Sequence, residues 1–413
     1  IVVVFRTQAR VWNRCASYRC KTYKKLEASL ITRTIFETEH EQFRDSVRRF
    51  IEREITPHHE RWEEQGMVDR ELWLKAGAAG LLCPNLPEEY GGCGPDYRFN
   101  VVITEEMARA GATGPGFSIH SDMVATYIAT FGTAEQKDRW LPKMVSGEAI
   151  GALGLTEPCA GSDLKNIRCR AVREGDEYVI SGQKVYISNG QLCDIIVLAC
   201  KTDPSAGAKG MSFILVEADR PGFTRGRNLK KIGLKAQDTS ELFFDNVRVP
   251  VSNLLGQEGT AFAMAMSKLA EERLTIAVSA IAASETALQW TVDYTRERKA
   301  FGQSISDFQN TRFKLGELSA EVLAKRVFVD RCIELLLEKK LDAVDAAAAK
   351  MLCTELQCKL VDECLQFFGG YGYMLEYPIA RAYVDARVRR IAGGSSEIMR
   401  EILGRRLFSE RSK

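Results

Sequence analysis

The chain has 413 residues, 45% hydrophobic and 27% charged, with a formal net charge of +2 at pH 7. This is an ordinary composition for a soluble globular protein, with room for about two or three domains. No basic excess points to nucleic acid, and no apolar run reaches the roughly 18 residues that a membrane-spanning helix needs.

Residues 1–25 carry Arg6, Arg10, Arg14, Arg19, Lys21, Lys24 and Lys25 and no acid. An Arg-rich, acid-free leader reads as a mitochondrial transit peptide. The competing reading is an extraneous upstream stretch, because the chain starts at Ile1. Residues 1–30 are set apart from the fold on either reading.

An N-terminal all-α domain is expected over 36–148. Phe43, Val47, Phe50, Ile51 and Ile55 recur at helical spacing until Pro57 breaks the period. PNLPEEYGGCG is a loop, with Pro84, Pro87, Gly91, Gly92 and Gly94. Helix returns in VVITEEMARA, and GPGFSIHSDMVATYIATFG reads as a buried helix.

Over 149–255 the period changes to strand, predicting a central β domain rather than a parallel βαβ unit. AVREGDEYVISGQKVYISNG gives two β-rich runs around a turn at Gly175–Asp176, and IIVLAC and MSFILVEA are buried strands. LTEPCAGSD (155–163) is a tight loop rich in free N–H groups, suited to anionic or carbonyl-bearing ligands. No GxGxxG opens a helix after a strand, so a Rossmann site is unsupported.

Residues 256–410 are helical again, over 260–298, 307–338, 341–368 and 395–410, which predicts an antiparallel four-helix bundle. In the first helix Glu272 shares a face with Leu269 and Ile276, whereas Glu271 lies on a more polar strip with Ser267, Lys268 and Thr275. A carboxylate on an apolar face either raises its pKa or pairs with a cation such as Arg273. The twelve Cys and four His form no CxxC pair or metal-spaced cluster, pointing away from zinc and toward a reducing compartment. No metal is expected.

LTEPCAGSD, VYISNG (185–190), RKAFGQ (298–303), QFFGGYGY (366–373) and GGSSEI (393–398) together resemble the acyl-CoA dehydrogenase family, in order and spacing, over about residues 37–410. GPGFSIHS (114–121), GLKAQDTSELFF (233–244) and EYPIARAYVDARV (376–388) are similar to its long-chain branch. The resemblance implies an α+β architecture in which the central domain is β-barrel-like. It also implies non-covalent FAD, an acyl-CoA substrate, a homotetramer with FAD across a subunit interface, and an electron-transferring flavoprotein as acceptor.

Carried onto matching positions, Leu153, Leu155, Thr156, Gly161 and Ser162 would wrap the flavin, with Ser162 also near the acyl-CoA. Tyr186, Ile187 and Ser188 would stack on and hydrogen-bond the ring. Arg298, Phe308 and Gln309 of one subunit would reach the pyrophosphate and adenosine half of a neighbour's FAD, together with Gln366, Phe367, Gly369 and Gly370. Ser395, Ser396 and Glu397 would face FAD, and Arg273 and Gly394 the substrate. The ordinary alternatives are a helix C-cap for Gly369 and Gly370 and N-caps for Ser395 and Ser396.

Many members of the family carry their base at the position of Gly393; the long-chain and isovaleryl-type branches place it before an Arg, here Glu272 before Arg273. Cys159 and Ala392 depart from a usual Gly and a usual aromatic. The implied function is α,β-dehydrogenation of long-chain acyl-CoA to trans-2-enoyl-CoA in fatty-acid β-oxidation, with Glu272 as base and flavin N5 as hydride acceptor. The alternatives are an isovaleryl-type branched short-chain dehydrogenase and a non-catalytic binding protein of the same fold. The compartment would be the mitochondrial matrix if the leader is real, and otherwise the bacterial cytoplasm.

Overall fold

Helix α1 (Thr38–Phe50) buries His40, Arg44, Val47 and Phe50, and a π-turn (Ile51–Ile55) carries it to the break at Pro57. The computed structural model describes residues 31–408. The Arg-rich leader lies outside them. Short helices α2 (His59–Gln65) and α3 (Glu71–Ala78) follow, then α4 (Arg98–Arg109). The expected buried helix opens as a π-turn (Ile119–Val124) and continues as α5 (Ala125–Phe131). Helix α6 (Ala134–Ser146) closes this part, with a Thr133–Gln136 capping box at its start.

Eight strands form the middle of the chain: β1 (Gly151–Gly154), β2 (Arg170–Glu174), β3 (Glu177–Ser188), β4 (Ile195–Lys201), β5 (Met211–Glu217), β6 (Phe223–Asn228), β7 (Thr239–Pro250) and β8 (Leu254–Leu255). They make one sheet in the order β6-β7-β3-β2-β4-β5-β8, with β1 against β4. Most pairs are antiparallel, but β1 runs parallel to β4, and β2 meets β4 in parallel at Arg170 and Lys201. The expected barrel-like closure is not reached, because β6 and β8 end the sheet on opposite sides. Register shifts along β3 and β7 bend their ribbon, which curves the sheet without joining its ends.

The bundle consists of α7 (Ala261–Glu297), α8 (Gln309–Leu337), α9 (Ala343–Phe368) and α11 (Ser396–Phe408). Short α10 (Pro378–Ala386), which the spacing did not suggest, lies between the last two. One apolar core joins Leu274, Ala277, Val278 and Ile281 of α7 to Cys353, Leu360 and Cys364 of α9.

Glu105 of α4, fully buried, ties the N-terminal helices to the bundle. Its carboxylate accepts hydrogen bonds from Arg44 and Arg326, both at 2.9 Å. Burial alone would raise its pKa, but Arg33, Arg326, Arg109 and Arg44 hold it well below the usual carboxylate range.

Candidate active site

Helix α7 runs through Ala, Leu, Met and Glu without Gly or Pro, and its high propensity carries it past two adjacent carboxylates. Glu272 is 6% exposed, and its Oε1 is buried without a hydrogen-bond partner. Burial pushes its pKa up to about 7; the hydrogen bond from the Tyr127 phenol opposes that rise, Glu271 adds to it, and Arg273 and Lys268 oppose it. Glu271 is half-buried and pairs at 3.8 Å with Lys268 on its own helix. Among the described residues no ion pair neutralises Glu272, and Nε of Arg273 is also buried and unpartnered.

The turn before α11 closes over this stretch. Gly393 (φ +66°) and Gly394 (φ +92°) are both left-handed. A Cβ at Gly393 would stand 2.4 Å from Cδ1 of Ile276, one helical turn beyond Glu272. Nζ of the fully buried Lys350 donates to the Gly394 carbonyl at 2.5 Å. Burial and then Arg273 push this ammonium down to about 8. Ser395 Oγ accepts from the Ile398 N–H at 3.4 Å, an N-cap contact, whereas Oγ of buried Ser396 has no partner. Glu397 is exposed.

A second group sits on the sheet. Leu153 lies on β1, and the following loop is tied to β3 by the Val185 N–H donating to the Thr156 carbonyl at 3.0 Å. Lys184 Nζ donates to the Leu155 carbonyl at 3.1 Å and pairs with Glu157 at 2.7 Å. Glu157 in turn accepts the Arg168 and Cys169 N–H groups at 2.6 and 3.0 Å. Beyond this anchor Gly161 and Ser162 are exposed.

The register shift between Lys184 and Ile187 extrudes Tyr186, which has φ +60° and is 68% exposed. Ile187 is buried, Ser188 is half-buried, and Asn189 Nδ2 donates to the Gly116 and Gly151 carbonyls, both at 3.1 Å. An extruded aromatic beside an open amide-rich loop fits the planar ring of FAD.

A third group lies at the far end of α7. Arg298 caps that helix, with its guanidinium 5.9 Å from the Tyr371 ring centroid. Phe308 and Gln309 start α8, and Phe308 meets Phe301 edge-on at 6.4 Å. Gln366, Gly369 and Gly370 are exposed at the end of α9, and Phe367 is half-buried. Gly369 (φ +57°) is the C-cap, and a side chain at either glycine would meet nothing within 4 Å. At about 1.5 Å per residue, Arg298 is about 39 Å along the helix from Glu272.

Sequence reasoning missed Tyr127, Glu157, Lys184 and Lys350. Glu157 and Lys184 lie in or beside motifs quoted for their loop character, so a basic and an acidic residue flanking those motifs were a usable signal. Tyr127 and Lys350 reach the site only by long-range packing, which helical periodicity cannot register.

A buried carboxyl on α7 with its pKa raised to about 7, and an aromatic extruded from β3 beside an exposed loop, suit a flavin-dependent dehydrogenase. Family models match nearly the whole described chain: acyl-CoA dehydrogenase, N-terminal domain (37–148), middle domain (152–247) and C-terminal domain (259–408). The chain belongs to the acyl-CoA dehydrogenase family of FAD-dependent oxidoreductases. It is 48% identical over 380 residues to the long-chain specific acyl-CoA dehydrogenase, mitochondrial, of Rattus norvegicus, covering 92% of this chain and 88% of the relative. A crystal structure of acyl-CoA dehydrogenase from Geobacillus kaustophilus matches with a TM-score of 0.90 at 46% identity, covering 92% of this chain and 100% of that one. A glutaryl-CoA dehydrogenase from Mycobacterium smegmatis in complex with FADH2 matches with a TM-score of 0.85 at 29% identity, covering 92% and 96%.

Proposed function

We propose that this protein oxidises long-chain acyl-CoA thioesters to trans-2-enoyl-CoA, with Glu272 removing the Cα proton. The observation that carries the reading is the buried Oε1 of Glu272, which has no hydrogen-bond partner among the described residues. A desolvated carboxylate with its pKa near 7 is matched to general-base work near neutral pH. Gly393 supports the assignment, since it offers no acid of its own and its missing side chain leaves the turn seated on Ile276.

FAD, when bound, supplies the two-electron acceptor. Leu153, Leu155, Thr156, Gly161 and Ser162 would hold its ring from the loop, and Tyr186, Ile187 and Ser188 from the strand. The Lys184–Glu157 pair keeps that loop against β3. Arg298, Phe308, Gln309, Gln366, Phe367, Gly369 and Gly370 would hold the remainder from a second subunit. The separation of about 39 Å between Arg298 and Glu272 along one helix supports this division, and with it a homotetramer. Ser396 and Glu397 would complete the flavin contact, and Arg273 and Gly394 that with the thioester.

Long-chain preference rests on the identity to the rat relative. Isovaleryl-CoA dehydrogenase, mitochondrial, of Solanum tuberosum is 34% identical over 401 residues. An electron-transferring flavoprotein is proposed as acceptor; a structure described as the electron transferring flavoprotein of Acidaminococcus fermentans matches with a TM-score of 0.86 at 35% identity. The mitochondrial matrix is the proposed compartment, on the mitochondrial relatives.

Anaerobic titration of the flavin-loaded protein with palmitoyl-, octanoyl- and isovaleryl-CoA tests the reading. Bleaching by palmitoyl-CoA supports it. Bleaching by isovaleryl-CoA alone moves the substrate to the branched short-chain class, and no bleaching by any thioester overturns the chemistry.

A further inference from the structure

Arg170 at the start of β2 pairs in parallel with Lys201 at the end of β4. The residues just before them, Cys169 and Cys200, are therefore neighbours on one face of the sheet. The Lys201 N–H donates to the Cys169 carbonyl at 2.7 Å. Both thiols are buried in one apolar cluster, and their sulfurs stand 3.9 Å apart. Gly182 of β3 leaves room for this pair, since a Cβ there would lie 2.9 Å from the Cys169 sulfur. Adjacent strands run about 4.8 Å apart, inside the roughly 4.4–6.8 Å that a disulfide spans between Cα atoms. Joining the two sulfurs asks for side-chain rotation, not for strand movement.

The same stretch of backbone holds the loop after β1. The Cys169 N–H donates to Oε1 of Glu157 at 3.0 Å, and that oxygen also takes Nζ of Lys184 at 2.7 Å. The Arg168 N–H donates to Oε2 at 2.6 Å. Two of the donors that fix Glu157 thus come from the two residues leading into β2.

We infer that Cys169 and Cys200 are an oxidative modification site, closed to a disulfide by hydrogen peroxide, and that closure loosens the flavin loop. The consequence for flavin rests on the reading of residues 153–162 as the loop that holds it. Closure fixes the Cys169 side chain and shifts the N–H on which Glu157 depends. A disulfide of this kind in a reducing compartment is transient and reports oxidant.

Cys169 is the attacking sulfur. The hydrogen bond from Cys200 lowers its pKa from the ordinary thiol value, against its own burial; Lys184 lowers it further and Glu157 opposes. Burial holds Cys200 well above that value. The Cys169 thiolate takes one peroxide oxygen: the S–O bond forms, the O–O bond breaks, and hydroxide leaves to be protonated to water. Cys200 then attacks the Cys169 sulfur. The S–S bond forms, the S–O bond breaks, and the departing hydroxide leaves as water with the Cys200 proton. Two thiols lose two electrons to one peroxide, giving one disulfide and two waters.

The test treats the flavin-loaded protein with hydrogen peroxide, blocks the remaining thiols under denaturing conditions, and maps linked peptides by mass spectrometry. Flavin release is followed in parallel by fluorescence. A Cys169–Cys200 link is expected. Flavin should leave about ten times faster, as for one weakened hydrogen bond to a charged group, and dithiothreitol should reverse both effects. Cys169→Ser and Cys200→Ala each remove one partner and should abolish both, so either variant that folds suffices. Cys159→Ser removes an exposed thiol of the same loop and should keep the response.

A pair that stays reduced at a peroxide dose that oxidises the exposed Cys93 and Cys159 overturns the site. A response that survives in Cys169→Ser or Cys200→Ala overturns it equally. A quantitative disulfide with unchanged flavin release overturns the coupling to the loop. Unchanged flavin retention in Lys184→Met would instead overturn the reading of the loop itself, so the failures are distinguishable.

Discussion

Lys350 Nζ reaches across from α9 to hold the carbonyl of Gly394 at 2.5 Å, which makes a buried ammonium the clamp on the turn that covers Glu272. Replacing it with Met removes the donor and strands a carbonyl. The expected cost is about 1–3 kcal/mol. Because Arg273 adjoins Lys350, the turn should loosen over the substrate side and KM for acyl-CoA should rise. Thermal melting and steady-state kinetics check both parts. A variant with parent stability and parent KM would show that the turn holds itself.

Glu272 should make the protein less stable as it becomes a better base. Its folded pKa, about 7, lies above the ordinary glutamate value of 4.5. The folded state therefore binds more protons than the unfolded state between those values, and stability falls as pH rises through that window. Above it the full penalty, on the order of 3 kcal/mol, is present. Glu272→Gln should abolish flavin reduction while raising stability at pH 8 by about 1–3 kcal/mol, with little change at pH 4.5. Melting curves at the two pH values, beside an anaerobic reduction assay, measure this. Equal gain at both would assign it to packing rather than to charge.

The Lys184–Glu157 pair should be indispensable to the flavin loop. Both residues are buried, and Lys184 is the cation that meets Glu157 at 2.7 Å. Lys184→Met leaves an uncompensated buried carboxylate, which typically costs about 3–5 kcal/mol. It also frees the Leu155 carbonyl, so flavin occupancy, read from the ratio of visible to ultraviolet absorbance, should drop. Retained occupancy in a destabilised variant would separate the loop from the pair.

The helices and strands were legible because their periodicity is local. Val47, Phe50 and Ile55 announce one buried helical face, and Ile195 to Cys200 a strand buried on both sides. The burial of Glu272, the proposed base, was legible for the same reason, since it stands on a face with Leu269 and Ile276. What was not legible depends on partners distant in sequence. β6, FTRGRN, carries mostly exposed polar residues and forms only because β7 offers an edge. The Tyr127 contact and the Lys350 clamp require the packing of separate helices, and sheet closure depends on end strands that no local pattern describes.

Gly393 should resist becoming a base. Its φ of +66° already penalises any side chain, by roughly 1–2 kcal/mol, and the first atom of that side chain would collide with Ile276 Cδ1 at 2.4 Å. Glu272→Gln combined with Gly393→Glu should therefore stay inactive or fold poorly. Adding Ile276→Ala removes the colliding methyl and opens room for the carboxylate over the same stretch of helix. The triple variant should regain measurable flavin reduction, at well under a tenth of the parent rate, because the transplanted acid would stand on a turn rather than on the continuous helix that carries Glu272. Stopped-flow reduction of the double and triple variants with octanoyl- and palmitoyl-CoA decides the matter. Activity in the double variant would mean that the turn yields more easily than its packing implies, and inactivity in a folded triple variant would mean that orientation, not space, is what position 393 lacks.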